Sequence, residues 1–119
     1  MMLDWKAYQS NLLTKIADIG RLSPETVKHY RGLSAAGSET GHLGQKTREL
    51  IALACAVTAR CDGCIAVHAD AASRHGASRE ELAEALSVAI AIGAGAALVY
   101  SARTLEAFDA NSAPEASGE

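Results

Sequence analysis

The stretch Lys46-Thr47-Arg48-Glu49-Leu50-Ile51-Ala52-Leu53-Ala54-Cys55-Ala56-Val57-Thr58-Ala59-Arg60-Cys61-Asp62-Gly63-Cys64-Ile65-Ala66-Val67-His68 decides the reading of this chain. Leu50 to Val57 is apolar without interruption, and a helix apolar on every side is a buried one. After a short break at Thr58 to Arg60, the Cys61-Asp62-Gly63-Cys64 segment opens a second helix, which His75 and Gly76 close in the usual order of cation, then C-terminal glycine. Two helices folding back about residue 60 form a hairpin, with both cysteines at a helix N-terminus. Cys64 and His68, four residues apart, then share a face with β-carbons about 5–6 Å apart, and Cys61 lies one turn earlier on the same side.

The hairpin also brings in Glu49. Counted from the turn, Glu49 and His68 differ by an axial offset of about 4.5 Å at the helical rise. A carboxylate at that height could orient His68 directly or through water and stabilise its charged form, giving a Cys-His-acid arrangement. An ordinary cysteine thiol is mostly protonated at neutral pH, and helix-terminal N–H groups together with an imidazolium favour the thiolate. The same residues, with His75 or Glu49 as a fourth ligand, could instead bind zinc, although a second Cys-x-x-Cys or a closely spaced histidine pair is absent. Cys55, inside the apolar run, reads as a packed small hydrophobe rather than a third redox thiol. His29 and His42 have no acidic or thiol partner at helical spacing and receive no role.

Outward from this core the remaining elements are helical too. Trp5, Tyr8, Leu12 and Ile16 form one stripe of a first helix over residues 4–19, with Gly20 as its stop. Ser23-Pro24 is an N-cap followed by proline at the first helical position, which starts a second helix running into the mid-thirties. Gly37, Gly41 and Gly44 then break the chain into a connector; no strand precedes them, so they are not a phosphate-binding loop. Ser78 with Glu81 is a capping-box signature, after which Leu82, Leu86 and Ile90 follow at four-residue intervals. Gly93 and Gly95 are expected to bend or interrupt that fifth helix before a last helical stretch from Leu98 to Phe108. Residues 110–119, polar and small, read as a disordered tail, which leaves one domain over residues 1–109.

Composition agrees with a single compact all-α domain. The 119 residues are 49% hydrophobic, yet aromatic residues are only 4%, so the apolar mass is mostly Ala, Leu, Ile and Val, side chains that let helices approach closely. Period-two alternation is missing, which argues against a sheet. A net charge of −3 without a basic run gives no electrostatic footprint for nucleic acid or for anionic lipid. The uncharged run Ala85 to Ala102 approaches the length of a membrane span, but its many Ala and Gly residues contribute little transfer free energy, so it reads as a buried helix or a subunit interface. The N-terminus lacks the pattern of a secretory signal, and a cytoplasmic location is expected. In that reducing setting Cys-x-x-Cys is a redox or metal motif rather than a staple.

Lys46 to Ala54, Cys61-Asp62-Gly63-Cys64 with His68, and then Ala72, Gly76 and Glu80 to Ala85 together resemble the carboxymuconolactone decarboxylase-like family, in its alkylhydroperoxidase D-like branch. The likeness covers about Lys46 to Phe108. It implies an all-helical fold, assembly into homotrimers or homohexamers, and thiol-dependent peroxidase and disulfide-reductase chemistry of the antioxidant, peroxiredoxin type. It further implies Cys61 and Cys64 as the redox pair, His68 as proton relay and Glu49 behind it. Neither a metal nor a bound cofactor is implied: the redox-active disulfide is the working group, a hydroperoxide or a partner protein's disulfide the substrate, and an external dithiol of the dihydrolipoamide type or a thiol protein the reductant. Gly63 departs from the pattern, standing where mycobacterial alkylhydroperoxidase D has a histidine, and Asp62 beside it opposes thiolate formation. Two other functions fit the family or the motif: the lactone decarboxylation that names the family, which needs no cysteine pair, and a non-enzymatic redox sensor or zinc site.

Overall fold

The computed structural model describes residues 1–112 and Pro114. Five α-helices and one short 3₁₀ turn follow in order: α1 (Trp5–Leu22), α2 (Pro24–Ala36), the turn Gly37–Thr40, α3 (Gln45–Ala59), α4 (Asp62–Arg74) and α5 (Arg79–Ser112). The described residues contain no strand. Helices α3, α4 and the first half of α5 pack together, α1 lies along α4, and α2 folds back on α1.

The turns explain this order. Asp4 caps α1, its Oδ1 accepting from the Ala7 N–H at 3.1 Å. The helix runs past Gly20 to Leu22, beyond the expected stop, because a helical glycine alone does not end a helix; Pro24 does, by holding Ser23 out of the helical region at φ −142° and ψ 74°. At the close of α3, the Cys61 N–H donates to the Ala56 carbonyl at 3.0 Å and the Arg60 N–H to that of Val57 at 3.2 Å, a Schellman motif with Arg60 in the left-handed region at φ 57°. The close of α4 repeats the pattern, Ala77 N–H to Ala72 and Gly76 N–H to Ser73, with Gly76 left-handed at φ 84°. There glycine takes the strained position at no steric cost; at the first turn an arginine bears it.

The capping box is formed: the Ser78 N–H donates to Glu81 Oε1 at 2.9 Å and the Glu81 N–H to Ser78 Oγ at 3.0 Å. Lys46 Nζ meets Glu81 Oε2 at 2.8 Å and ties the start of α3 to the start of α5. Helix α5 then continues as one element of 34 residues. Gly93 and Gly95 do not interrupt it, because each glycine costs only about 1 kcal/mol against alanine and the surrounding Ala and Leu residues are strong helix formers. Residues 110–112 of the expected tail are its last turn, and most of that tail lies outside the described residues.

The core is small. Among the described residues its buried apolar side chains are Leu53 and Ala56 on α3, Ala66 and Ala72 on α4, and Ala89 on α5. The second half of α5 stands free of the rest of the chain, with Ile92, Leu98, Tyr100, Leu105 and Phe108 all more than 60% exposed. The radius of gyration is 21.1 Å, where a chain of this length folded into a sphere-like domain has about 13 Å. The all-helical fold is therefore as expected, but the single chain is elongated rather than compact, and of Ala85 to Ala102 only Ala89 is buried within it. By length and composition alone, α5 could cross a membrane. Cys55 is likewise exposed, since nothing covers the groove that α3 and α5 form beside it.

Arg60→Gly should stabilise the fold by about 1 kcal/mol by relieving the left-handed strain, and Arg60→Val should destabilise it, both read from urea denaturation at one fixed protein concentration. The Lys46 ammonium, and next the Ser78 N–H, hold Glu81 at about 2, against an ordinary value of 4.5. Its folded form is thus the more acidic, so its contribution to stability is complete above the ordinary carboxylate range and is lost as the pH falls. The thermal midpoint of Glu81→Gln should lie below the parent's at neutral pH and converge with it between about pH 4.5 and 2.

Candidate active site

Cys61 occupies both sides of the first turn. Its N–H closes α3, and its Sγ accepts the Cys64 N–H at 3.1 Å, so the sulfur is the N-cap of α4. Cys61 and Cys64 are joined in a disulfide, with Cα atoms 5.2 Å apart. Both are half-buried, and Asp62, in the first turn between them, is exposed. A Cβ placed on Gly63 would come within 2.8 Å of Leu12 Cδ2, so α1 packs directly on the backbone between the two cysteines. A histidine at this position would have to displace the leucine.

One turn further along α4, His68 reaches across to α3. Its Nδ1 lies 2.6 Å from Glu49 Oε2, and the other carboxylate oxygen accepts from Gln45 Nε2 at 2.6 Å. Among the described residues Glu49 is the one charged residue that is buried, at 8% exposure, and both of its oxygens have partners. Because a carboxylate only accepts, Nδ1 carries the hydrogen, and Nε2 of the neutral ring is left as the acceptor. The contact expected from helical counting is direct, with no water needed. A histidine held in this tautomer, one helical turn from a cysteine, is equipped to take a thiol proton at Nε2 while the glutamate stabilises the resulting imidazolium.

The hairpin thus sets Glu49 of α3 against His68 in the middle of α4, one turn after Cys64, while Cys61 and Cys64 stand at the start of that helix. Three or more His, Cys, Asp or Glu side chains do not converge as a metal-ligand set anywhere among the described residues, and His75 is the C-cap at the far end of α4. Sequence reasoning did not find Gln45, although its position four residues before Glu49 is the ordinary helical pair spacing. Nor did it find Leu12 as the side chain over Gly63, which no local pattern encodes.

Comparison with known proteins gives this geometry its context. Residues 24–107 match the carboxymuconolactone decarboxylase family. The chain belongs to that family. An uncharacterised protein of Haemophilus influenzae is 47% identical over 113 residues, 95% of this chain and all of that one. A second uncharacterised protein, from Cupriavidus necator, is 34% identical over 92% of this chain and 97% of its own length. Among solved structures, apo-lpg0406, a carboxymuconolactone decarboxylase family protein from Legionella pneumophila, superposes with a TM-score of 0.71 at 37% identity, covering 88% of this chain and 94% of that one. The family match begins at Pro24 and so includes α2, earlier than the Lys46 boundary of the resemblance read from sequence.

Proposed function

We propose that this family member is a thiol-dependent peroxidase and disulfide reductase working through Cys61 and Cys64. The observation that carries the reading is the pairing of a Cys-x-x-Cys disulfide at the start of α4 with a histidine one turn later whose Nδ1 is fixed by a buried glutamate. In the reduced enzyme His68 Nε2 takes the Cys64 proton, and the thiolate attacks the terminal oxygen of a hydroperoxide. The O–O bond breaks, the alkoxide leaves as the alcohol with the proton from His68, and Cys64 becomes a sulfenic acid. The Cys61 thiol attacks that sulfur, water leaves and the disulfide closes. An external dithiol, such as dihydrolipoamide or a thiol protein, then reduces it by exchange and is itself oxidised to a disulfide. With a partner protein's disulfide as substrate, the same thiolate attacks sulfur instead of oxygen. No metal or bound cofactor enters the cycle. A reducing cytoplasm suits an enzyme that must regain its thiols after each turnover.

Assembly belongs to the same reading. Each buried methyl contributes only about 0.8 kcal/mol, and ordering a residue's backbone costs about 1–2 kcal/mol. A core of one leucine and four alanines is therefore too small for this chain, and the bare half of α5 holds the missing apolar area. We infer a homotrimer or homohexamer built on α5.

Light scattering of detergent-free protein at micromolar concentration should give a trimer or hexamer; a stable monomer, or material that stays in solution only with detergent, would overturn the assembly. One equivalent of hydroperoxide should consume two thiols per chain, with mass spectrometry linking Cys61 to Cys64 and leaving Cys55 free; retention of both thiols would sink the peroxidase reading. His68→Gln should keep the disulfide-forming ability but lower the rate by about 10²-fold near neutral pH, and the gap should narrow as rising pH ionises the thiol unaided. Glu49→Gln should show a milder form of that defect.

A further inference from the structure

A cavity of about 440 Å³ lies between the end of α2 and the face of α3 that carries the relay, with Glu49 and His68 in its wall beside Arg48 and Gln45. Its one cation and its one carboxylate are not paired with each other. Glu49 is fully engaged, one oxygen by His68 and the other by Gln45. Arg48 is half-buried and has no carboxylate within ion-pair distance among the described residues. Its guanidinium lies over the backbone where α2 ends: a Cβ on Gly37 would sit 3.4 and 3.5 Å from its two terminal nitrogens. The planar group thus lies against the backbone at Gly37, at the cavity's edge. Ser34, exposed on the same wall, adds a hydroxyl to the cavity.

We propose that this cavity is a carboxylate subsite, in which Arg48 binds the acid group of the small molecule that exchanges with the cysteine pair. The claim that this molecule reacts at the cysteines rests on the function proposed above; the claim that the cavity binds a carboxylate does not. A guanidinium offers two parallel N–H groups that match the two oxygens of a carboxylate. A single cation with no ion-pair partner, close to the Glu49 carboxylate, suits a monoanion better than a phosphate dianion, which that carboxylate repels more strongly. His68 is common to both places: it lines the cavity and stands one turn from Cys64, so an acid anchored at Arg48 is held next to the proton relay.

The test uses the full-length oxidised protein and the non-reactive pair benzoate and benzamide, which differ in charge and hardly in shape. Benzoate should bind, seen by calorimetry and by shifts of the His68 ring resonances. Benzamide should bind at least tenfold more weakly, and Arg48→Gln should remove that difference while Arg48→Lys keeps part of it. Equal affinity for the two compounds, displacement of benzoate by an equal concentration of inorganic phosphate, or an Arg48→Gln chain that binds benzoate as well as the parent would overturn the subsite. So would dissociation of the assembly in both Arg48 variants, which would mean that the guanidinium pairs with a second copy. If Arg48→Gln fails to fold, the benzoate–benzamide difference in the parent and its loss at high salt decide the matter. The reacting pair is dihydrolipoate and dihydrolipoamide, each reducing the Cys61–Cys64 disulfide: the acid should be preferred through a lower KM, and Arg48→Gln should cut that preference at least tenfold. Failure of both dithiols and of hydroperoxide to react would count against the proposed function alone, since the benzoate result reads the subsite without turnover.

Discussion

The turn at Arg60 and Cys61 sets the rest of the structure. Two backbone hydrogen bonds close α3 there, and the sulfur of the same cysteine caps α4, so no free residue separates the two helices. A turn this tight leaves the hairpin without play: the height of each residue on α3 fixes its opposite number on α4. Glu49 and His68 meet because of that registration. The left-handed arginine is the local strain that makes it possible, and the second Schellman turn shows the unstrained alternative with Gly76.

A glutamate as buried as Glu49 would be costly unless both oxygens were satisfied. Gln45 and His68 do this from opposite sides, one from the preceding turn of α3 and one from α4. The consequence is a histidine fixed in tautomer and orientation by the same interactions that let the carboxylate be buried. Stability and site geometry are therefore not separable on this face of the hairpin. On the opposite side α1 presses Leu12 against Gly63, where only a residue without a side chain fits unless the leucine moves.

The small side chains have two effects. Alanines at four of the five buried apolar positions let α4 and α5 each pack closely on α3, and the short polar contacts of the site lie between α3 and α4. They also leave the single chain with little buried area, and the free half of α5 exposes large apolar side chains that a neighbour would cover. Membership of the carboxymuconolactone decarboxylase family, supported by relatives that align along nearly the whole chain, fixes the fold in which these features sit.

Sequence alone determined most of the elements and the spacing of the candidate site residues. The apolar run before Arg60, the Ser78–Glu81 box, the His75-Gly76 stop and the spacing of Cys61, Cys64 and His68 are local codes, each satisfied within one or two helical turns. It misjudged the places where local signals compete: Gly20, Gly93 and Gly95 looked like breaks, but helix formers on either side outweigh a single glycine. Tertiary structure alone decided how α3 is rotated against α4, and hence that Glu49 touches His68 directly, since axial counting gives height but not azimuth. It also decided that Leu12 covers Gly63, that Arg48 lies against Gly37 without an ion-pair partner, and that Cys55 and half of α5 stay bare. These are relations between elements distant in sequence, set by which helix faces find apolar area to bury against, and no period within a single helix records them.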